Sequence, residues 1–210
     1  MKMMMKKMFF LAVAVLLSAG LSGADIKFPA PQKTGGMPLN EALSKRQTIR
    51  AYLKKELSEQ QIGNLLWSAF GVNRQNGKFT APTAANRQEI RLFFLTAKGA
   101  FAYCPVTHQG KQITTKDLRS LAGVFKAPLY IVIAADLDKA VSQHYAVMDT
   151  GYVSQNIYLS CASQKLGTCA IGSFARIKGA EKGQLLRKGL ELPGNIVIYL
   201  THSVGIPVVD

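Results

Sequence analysis

Pro128–Ala135 (PLYIVIAA) narrows the possible folds more than any other segment of this chain. It is β-branched, aromatic and almost wholly apolar, with none of the polar alternation that marks a strand wetted on one side. A run of this length and composition predicts a central strand buried on both faces. Such a strand needs a covering layer on each side of its sheet.

Further strands are predicted at Ile90–Thr96 (IRLFFLT), at Phe101–Tyr103 after a Lys98-Gly99 turn, at Thr168–Ile171 and at Asn195–Ser203 (NIVIYLTHS). A short helix is expected over Leu39–Lys45. Ser58-Glu59-Gln60-Gln61 has the capping-box pattern and opens a helix whose apolar positions Ile62, Leu65, Leu66, Ala69 and Phe70 follow a 3.6-residue period, with Gly71 ending it. Asp149-Thr150 is expected to cap a long helix reaching about Leu166. Its small residues Gly151, Ser154, Ala162 and Ser163 suit close packing, and Gly167 stops it. A basic helix is expected over Lys178–Leu190. These elements lack a regular βαβ rhythm, so the class is α+β. Residues 25–38 contain Pro29, Pro31, Pro38 and a Gly35-Gly36 pair, the composition of an extended arm. Residues 39–210 are expected to form one domain.

The first 24 residues have a different character. Lys2, Lys6 and Lys7 form a positive start, Met8–Leu17 is apolar, and Ser22-Gly23-Ala24 offers small residues for cleavage. This is the pattern of a secretory signal peptide, placing the protein outside the cytoplasm, with the periplasm as the expected compartment. Ten apolar residues are too few to cross about 30 Å of hydrocarbon as a permanent helix, so no stable membrane span is expected after cleavage.

The whole chain is 48% hydrophobic and 18% charged, which excludes a disordered protein. Its formal charge is +14, and it stays strongly basic once the three signal lysines are removed. Anionic partners are favoured. A nucleic-acid partner is not expected, because the chain is exported and its remaining basic residues are scattered. Cys104, Cys161 and Cys169 form no CxxC, and His108, His144 and His202 lack ligand spacing, so no metal site is expected. There is no GxSxG elbow for serine hydrolysis.

Three segments carry candidate chemistry. In Arg46-Gln47-Thr48-Ile49-Arg50, two forked guanidinium groups flank a hydroxyl, a donor set matched to phosphate oxygens. Phe79–Asn86 is a loop of small and polar residues through which backbone N–H groups can approach a flat or anionic ligand. In Leu166–Phe174, Gly172 permits close backbone approach. Taken singly, these are a solvated helix end, a connecting loop and a strand end.

Taken together, LSKRQTIRAY, LLWSAFGVNRQNGKFTAPTAANRQEI and DTGYVSQNIYLSCASQKLGTCAIGS resemble the nitroreductase-like flavoprotein family. The nearest branch is the one that includes the oxidases of thiazole- and oxazole-containing peptides. The stretch from Leu65 to Ala84 is the most specific part, and the resemblance runs from about Leu39 to Pro207. It implies an α+β homodimer with a mostly antiparallel sheet and an FMN at each subunit interface. It also implies an oxidoreductase working in two half-reactions, with the flavin carrying the chemistry. The helices from Ser58 and from Asp149 are the ones expected to be shared between subunits.

By the same resemblance, Arg46, Gln47 and Thr48 belong to the FMN phosphate and ribityl site, and Arg50 approaches the pyrimidine edge of the ring. Pro82, Thr83, Ala84 and Asn86 match the loop supplied by the partner subunit. Ile171 and Gly172 match backbone near the hydride-accepting nitrogen. Many members carry a Glu where this chain has Ile171, and many end in a basic phosphate clamp. Here no Lys or Arg follows Lys188, which leaves Lys182, Arg187 and Lys188 as substitutes. Export also removes the usual nicotinamide donor. An oxidase reoxidised by oxygen or a quinone avoids that difficulty. A non-catalytic envelope protein, reusing the fold to bind a small anion or a protein partner, is the alternative, and a thiol enzyme built on Cys104 or Cys161 is the third reading.

Overall fold

A computed structural model of the chain describes residues 24–172 and 181–208. The expected signal peptide up to Gly23, the segment Ser173-Phe174 and the start of the expected helix at Lys178 lie outside the described residues.

The architecture is the expected α+β. Its strands are β1 (Ile26–Lys27), β2 (Ile90–Thr96), β3 (Gly99–Cys104), β4 (Gln109–Thr114), β5 (Leu129–Asp136), β6 (Gly167–Ile171) and β7 (Ile196–Gly205). They form one sheet in the order β1-β4-β3-β2-β5-β7-β6 with antiparallel neighbours. The helices are α1 (Leu39–Lys45), α2 (Glu59–Phe70), α3 (Arg119–Ala122), α4 (Gln143–Ser163) and α5 (Glu181–Gly189).

β5 is buried along its whole length, between β2 and β7. Its side chains divide by the two-residue period of a strand. Ile131 and Ile133 join Leu92 and Phe94 under α2 and α4. Val132 and Ala134 join Phe93, Leu95 and Leu186 on the opposite face, towards α3 and α5. The sequence shows no alternation there because each face has its own apolar layer.

The capping box forms as expected. Gln61 N–H donates to Ser58 Oγ at 3.2 Å, and Ser58 N–H donates to Gln61 Oε1 at 2.9 Å. Gly71 ends α2 by donating to Trp67 O, where a β-carbon would fall 2.3 Å from the Trp67 ring.

The long helix corrects the sequence reading. α4 begins two turns earlier than Asp149-Thr150, with Ser142 as its N-cap. Asp149 and Thr150 are buried within it. Asp and Thr signal a cap because their side chains compete for backbone groups. Here Thr150 bonds back to Ala146 O at 2.8 Å, while Asp149 bonds to a different segment altogether. β4 and α3 were not anticipated: the strand is polar and near the sheet edge, and the helix is a single turn. The arm is tied down at its start, where Ile26–Lys27 pairs with β4 and Phe28 packs on Phe94 at 5.6 Å between ring centroids.

Candidate active site

The Arg46–Arg50 segment lies along β6. Ile49 N–H donates to Thr168 O at 2.9 Å. A β-carbon on Gly167 would fall 2.8 Å from Ile49 Cγ2, so the glycine is what allows the two backbones to approach.

Tyr158, from the middle of α4, gathers these pieces. Its hydroxyl accepts from Ala170 N–H at 3.0 Å and lies 3.2 Å from Thr48 Oγ1. The Arg46 guanidinium sits over its ring, 5.2 Å from the centroid. Its edge meets the His202 ring, also at 5.2 Å. His202 is fully buried on β7, its two ring nitrogens 2.9 Å from Ser154 Oγ and 3.0 Å from Thr168 Oγ1. Burial lowers its pKa to about 3, so it stays neutral and links α4, β6 and β7. Sequence reading missed Tyr158. Its only signal was an aromatic residue seven after Gly151 on the long helix.

A cavity of about 460 Å³ opens beside this junction, lined by Arg46, Gln47, Tyr158, Lys165 and Pro207 among others. Arg46 and Thr48 are half-buried, whereas Gln47 and Arg50 are exposed. Lys165 follows the end of α4 with φ +57° and brings a further cation to the cavity, which Lys45 also lines. Lys182, Arg187 and Lys188, the substitutes expected for a phosphate clamp, are not among its lining residues. Arg187 instead bonds to Ile196 O and Pro193 O, tying α5 to β7, and Lys182 lines a different hollow with Lys54 and Lys55. Cys161 also borders the cavity, but burial pushes its thiol up, away from the reactive thiolate.

The remaining predicted residues do not line this cavity. Pro82 and Asn86 are exposed, and Thr83 and Ala84 half-buried. Their loop makes a 3-10 turn over Ala84–Asn86, with Ala85 and Asn86 at φ +50° and +54°. It is tied down by Ala84 N–H donating to Asp149 Oδ2 at 2.8 Å and Gln88 N–H donating to Thr83 Oγ1 at 2.9 Å. Ile171 ends β6 with its side chain towards Gly123, on the α3–α5 side of the sheet. Gly172 is exposed, with Leu200 Cδ2, at 3.6 Å, the nearest atom to an added β-carbon. Thus one chain brings Arg46 and Gln47 to the cavity and Thr48 to Tyr158 beside it, while Arg50, the 82–86 loop and the 171–172 backbone are not among its lining residues.

A family model described as the nitroreductase family matches residues 43–206. The chain belongs to the nitroreductase family. A putative nitroreductase of Methanocaldococcus jannaschii is 27% identical over 156 residues, 65% of this chain and 79% of that protein. A putative nitroreductase of Ralstonia eutropha JMP134 has a crystal structure that superposes with a TM-score of 0.80 at 28% identity, covering 91% of this chain and 93% of that one. A putative nitroreductase of Desulfovibrio desulfuricans, solved in complex with FMN, shares the fold at TM-score 0.60 and 18% identity, over 83% of this chain and 89% of that one. With the nitroreductase family shown, the enzyme class and cofactor implied by the resemblance, an oxidoreductase using FMN, hold at the level of the family.

The donors fit such a group. Arg46 and Lys165 supply positive charge at one cavity, Thr48 holds a hydroxyl 3.2 Å from the Tyr158 hydroxyl beside it, and Gly172 leaves room for close approach from outside. In this nitroreductase-family chain, Tyr158→Phe is expected to leave Ala170 N–H without its partner. It should cost about 1–3 kcal/mol, read as a lowered urea midpoint. An unchanged midpoint would remove Tyr158 from its place at the junction.

Proposed function

We propose that this nitroreductase-family protein is an exported FMN-dependent oxidoreductase acting as a homodimer, with one flavin at each subunit interface. The observation that carries this reading is the junction at Tyr158, where Arg46 and Thr48 meet the β6 backbone beside a cavity of about 460 Å³. FMN, when bound, supplies the two-electron chemistry of the two half-reactions. The chain's own residues bind and orient it. Arg46, Gln47 and Thr48 hold the phosphate and ribityl chain, with Lys165 as a further cation. Arg50 meets the pyrimidine edge, where negative charge develops on reduction. The Ile171–Gly172 backbone borders the ring. Pro82, Thr83, Ala84 and Asn86 come from the partner subunit, which fits their distance from the cavity of their own chain.

The dimer is supported by α4. Its inner face is buried through Ala146, Val153 and Ile157, yet Tyr145, Met148 and Tyr152 on another face are 44–45% exposed, with Val141 in line before them. Such an exposed apolar stripe at helical spacing is matched by a second copy of itself. α2 buries Ile62, Leu65 and Leu66 within its own chain, which leaves α4 as the helix to be shared. Export rests on residues 1–24, and it favours oxygen or a quinone as the oxidant. The Leu65–Ala84 stretch supports placement in the branch that includes the thiazole/oxazole peptide oxidases.

The test is an absorbance spectrum of the protein purified from its own compartment, before and after adding FMN, with its sedimentation mass. A bound-flavin spectrum on a species of two chains is expected. A colourless protein that takes up no FMN would overturn the cofactor, and a single-chain mass would overturn the interfacial site.

A further inference from the structure

Glu89 sits at the foot of the loop that carries Pro82, Thr83, Ala84 and Asn86. It is 1% exposed, and neither carboxyl oxygen accepts a hydrogen bond from the described residues. A buried carboxylate in that position is strongly disfavoured, whereas a protonated carboxyl has a proton to donate and needs an acceptor. The side chain that faces it is Asp149 of α4, 3% exposed. Asp149 Oδ2 is the atom that accepts Ala84 N–H at 2.8 Å.

We propose that Glu89 and Asp149 form a carboxyl pair holding one proton, and that this pair positions the Thr83–Asn86 loop. Glu89 donates to Asp149, and Asp149 holds the Ala84 amide. The loop needs such a tether, because Ala85 and Asn86 are both in the left-handed region, which L-residues adopt only when their surroundings hold them there. Both are positioning residues. Their bearing on the reaction rests on the reading that this loop borders a flavin.

Arg91 of β2 pulls the Glu89 pKa down, but its guanidinium is engaged by Asp136 of β5 at 3.2 Å and by Gln88 O and Ile90 O. Burial and Asp149 prevail and raise the Glu89 pKa to about 7. A raised carboxyl pKa means that the folded loop binds the proton more tightly than the opened loop. The tether is therefore complete below the ordinary value of 4.5, weakens as the pH rises towards about 7, and changes little above it.

The experiment uses the full-length protein without flavin. Hydrogen exchange at the Ala84 amide is followed from pH 5 to 8 and normalised to the intrinsic rate. Wild-type protection is expected to fall more than tenfold over this range. Glu89→Gln keeps a donor but cannot ionise, so its Ala84 protection should stay flat with pH while amides of β5 are unaffected. A flat wild-type profile overturns the proposal, as does a Glu89→Gln variant that falls in parallel with wild type. Should Glu89→Gln fail to fold, the wild-type profile decides alone. FMN affinity is then measured across the same pH range. If exchange behaves as expected and affinity follows it, both the pair and the loop's place beside the flavin are supported. If exchange behaves as expected and affinity does not, the pair stands and the placement of the loop beside the flavin falls.

Discussion

Arg46→Ala is expected to weaken FMN binding by more than tenfold. A hydrogen bond from a charged group contributes about 1.5–3 kcal/mol, and about 1.4 kcal/mol is a factor of ten in affinity. Arg46 should fall within that range because it is half-buried and held over the Tyr158 ring before any ligand arrives, so little side-chain freedom remains to be lost on binding. Arg46→Lys should rescue little of the loss: an ammonium reproduces neither the planar fork nor the stacking. Arg50→Ala should have a smaller effect, since Arg50 is exposed. Titration of each variant by flavin fluorescence checks the order. An affinity unchanged in Arg46→Ala would remove this residue from the phosphate site.

Phe94→Ala is expected to be the most destabilising single change considered, at about 3–5 kcal/mol. Phe94 is fully buried, stacked on Phe101 at 4.9 Å and 8°, and tilted against Phe28. Its far edge lies over Gly110, where a β-carbon would be 2.4 Å from Cζ. The walls of the vacated space are therefore partly backbone, which does not collapse to fill it. Phe28 also loses its ring partner, so the arm should loosen with the core. Urea unfolding gives the comparison, and a cost below about 1 kcal/mol would show that the site repacks.

The elements carried by strong local physics were legible in the sequence. Residues 90–96 and the apolar run from Pro128 fell within a residue of their observed spans, because β-branched and aromatic runs leave few alternatives. The Ser58 box gave the start of α2 directly. What remained hidden depended on tertiary partners. Asp149 has the chemistry of a cap, and nothing near it in sequence indicates that its acceptor serves Ala84, 65 residues away. The start of α4 was obscured in the same way: the helix is apolar on more than one face, so its period is blurred where it begins. Within the candidate site, Arg46 and Gln47, which line the cavity, were singled out by residue type and spacing, as was Arg50, which does not line it. Tyr158 and Lys165 were not. Their roles follow from the crossing of α4 over β6 and from a left-handed residue at the end of the helix.

The segment that holds Arg46 also closes the sheet. β6 is one of its two borders, and Ile49 N–H takes up the outward Thr168 carbonyl. A strand border left bare is a template for joining the border of another molecule. On the proposed reading of Arg46, solubility and cofactor retention are coupled through one stretch of chain. Changes that lift this stretch away, such as a bulky residue at Gly167, should lead to precipitation along with loss of colour. Changes confined to the Arg46 side chain should bleach the protein and leave it in solution.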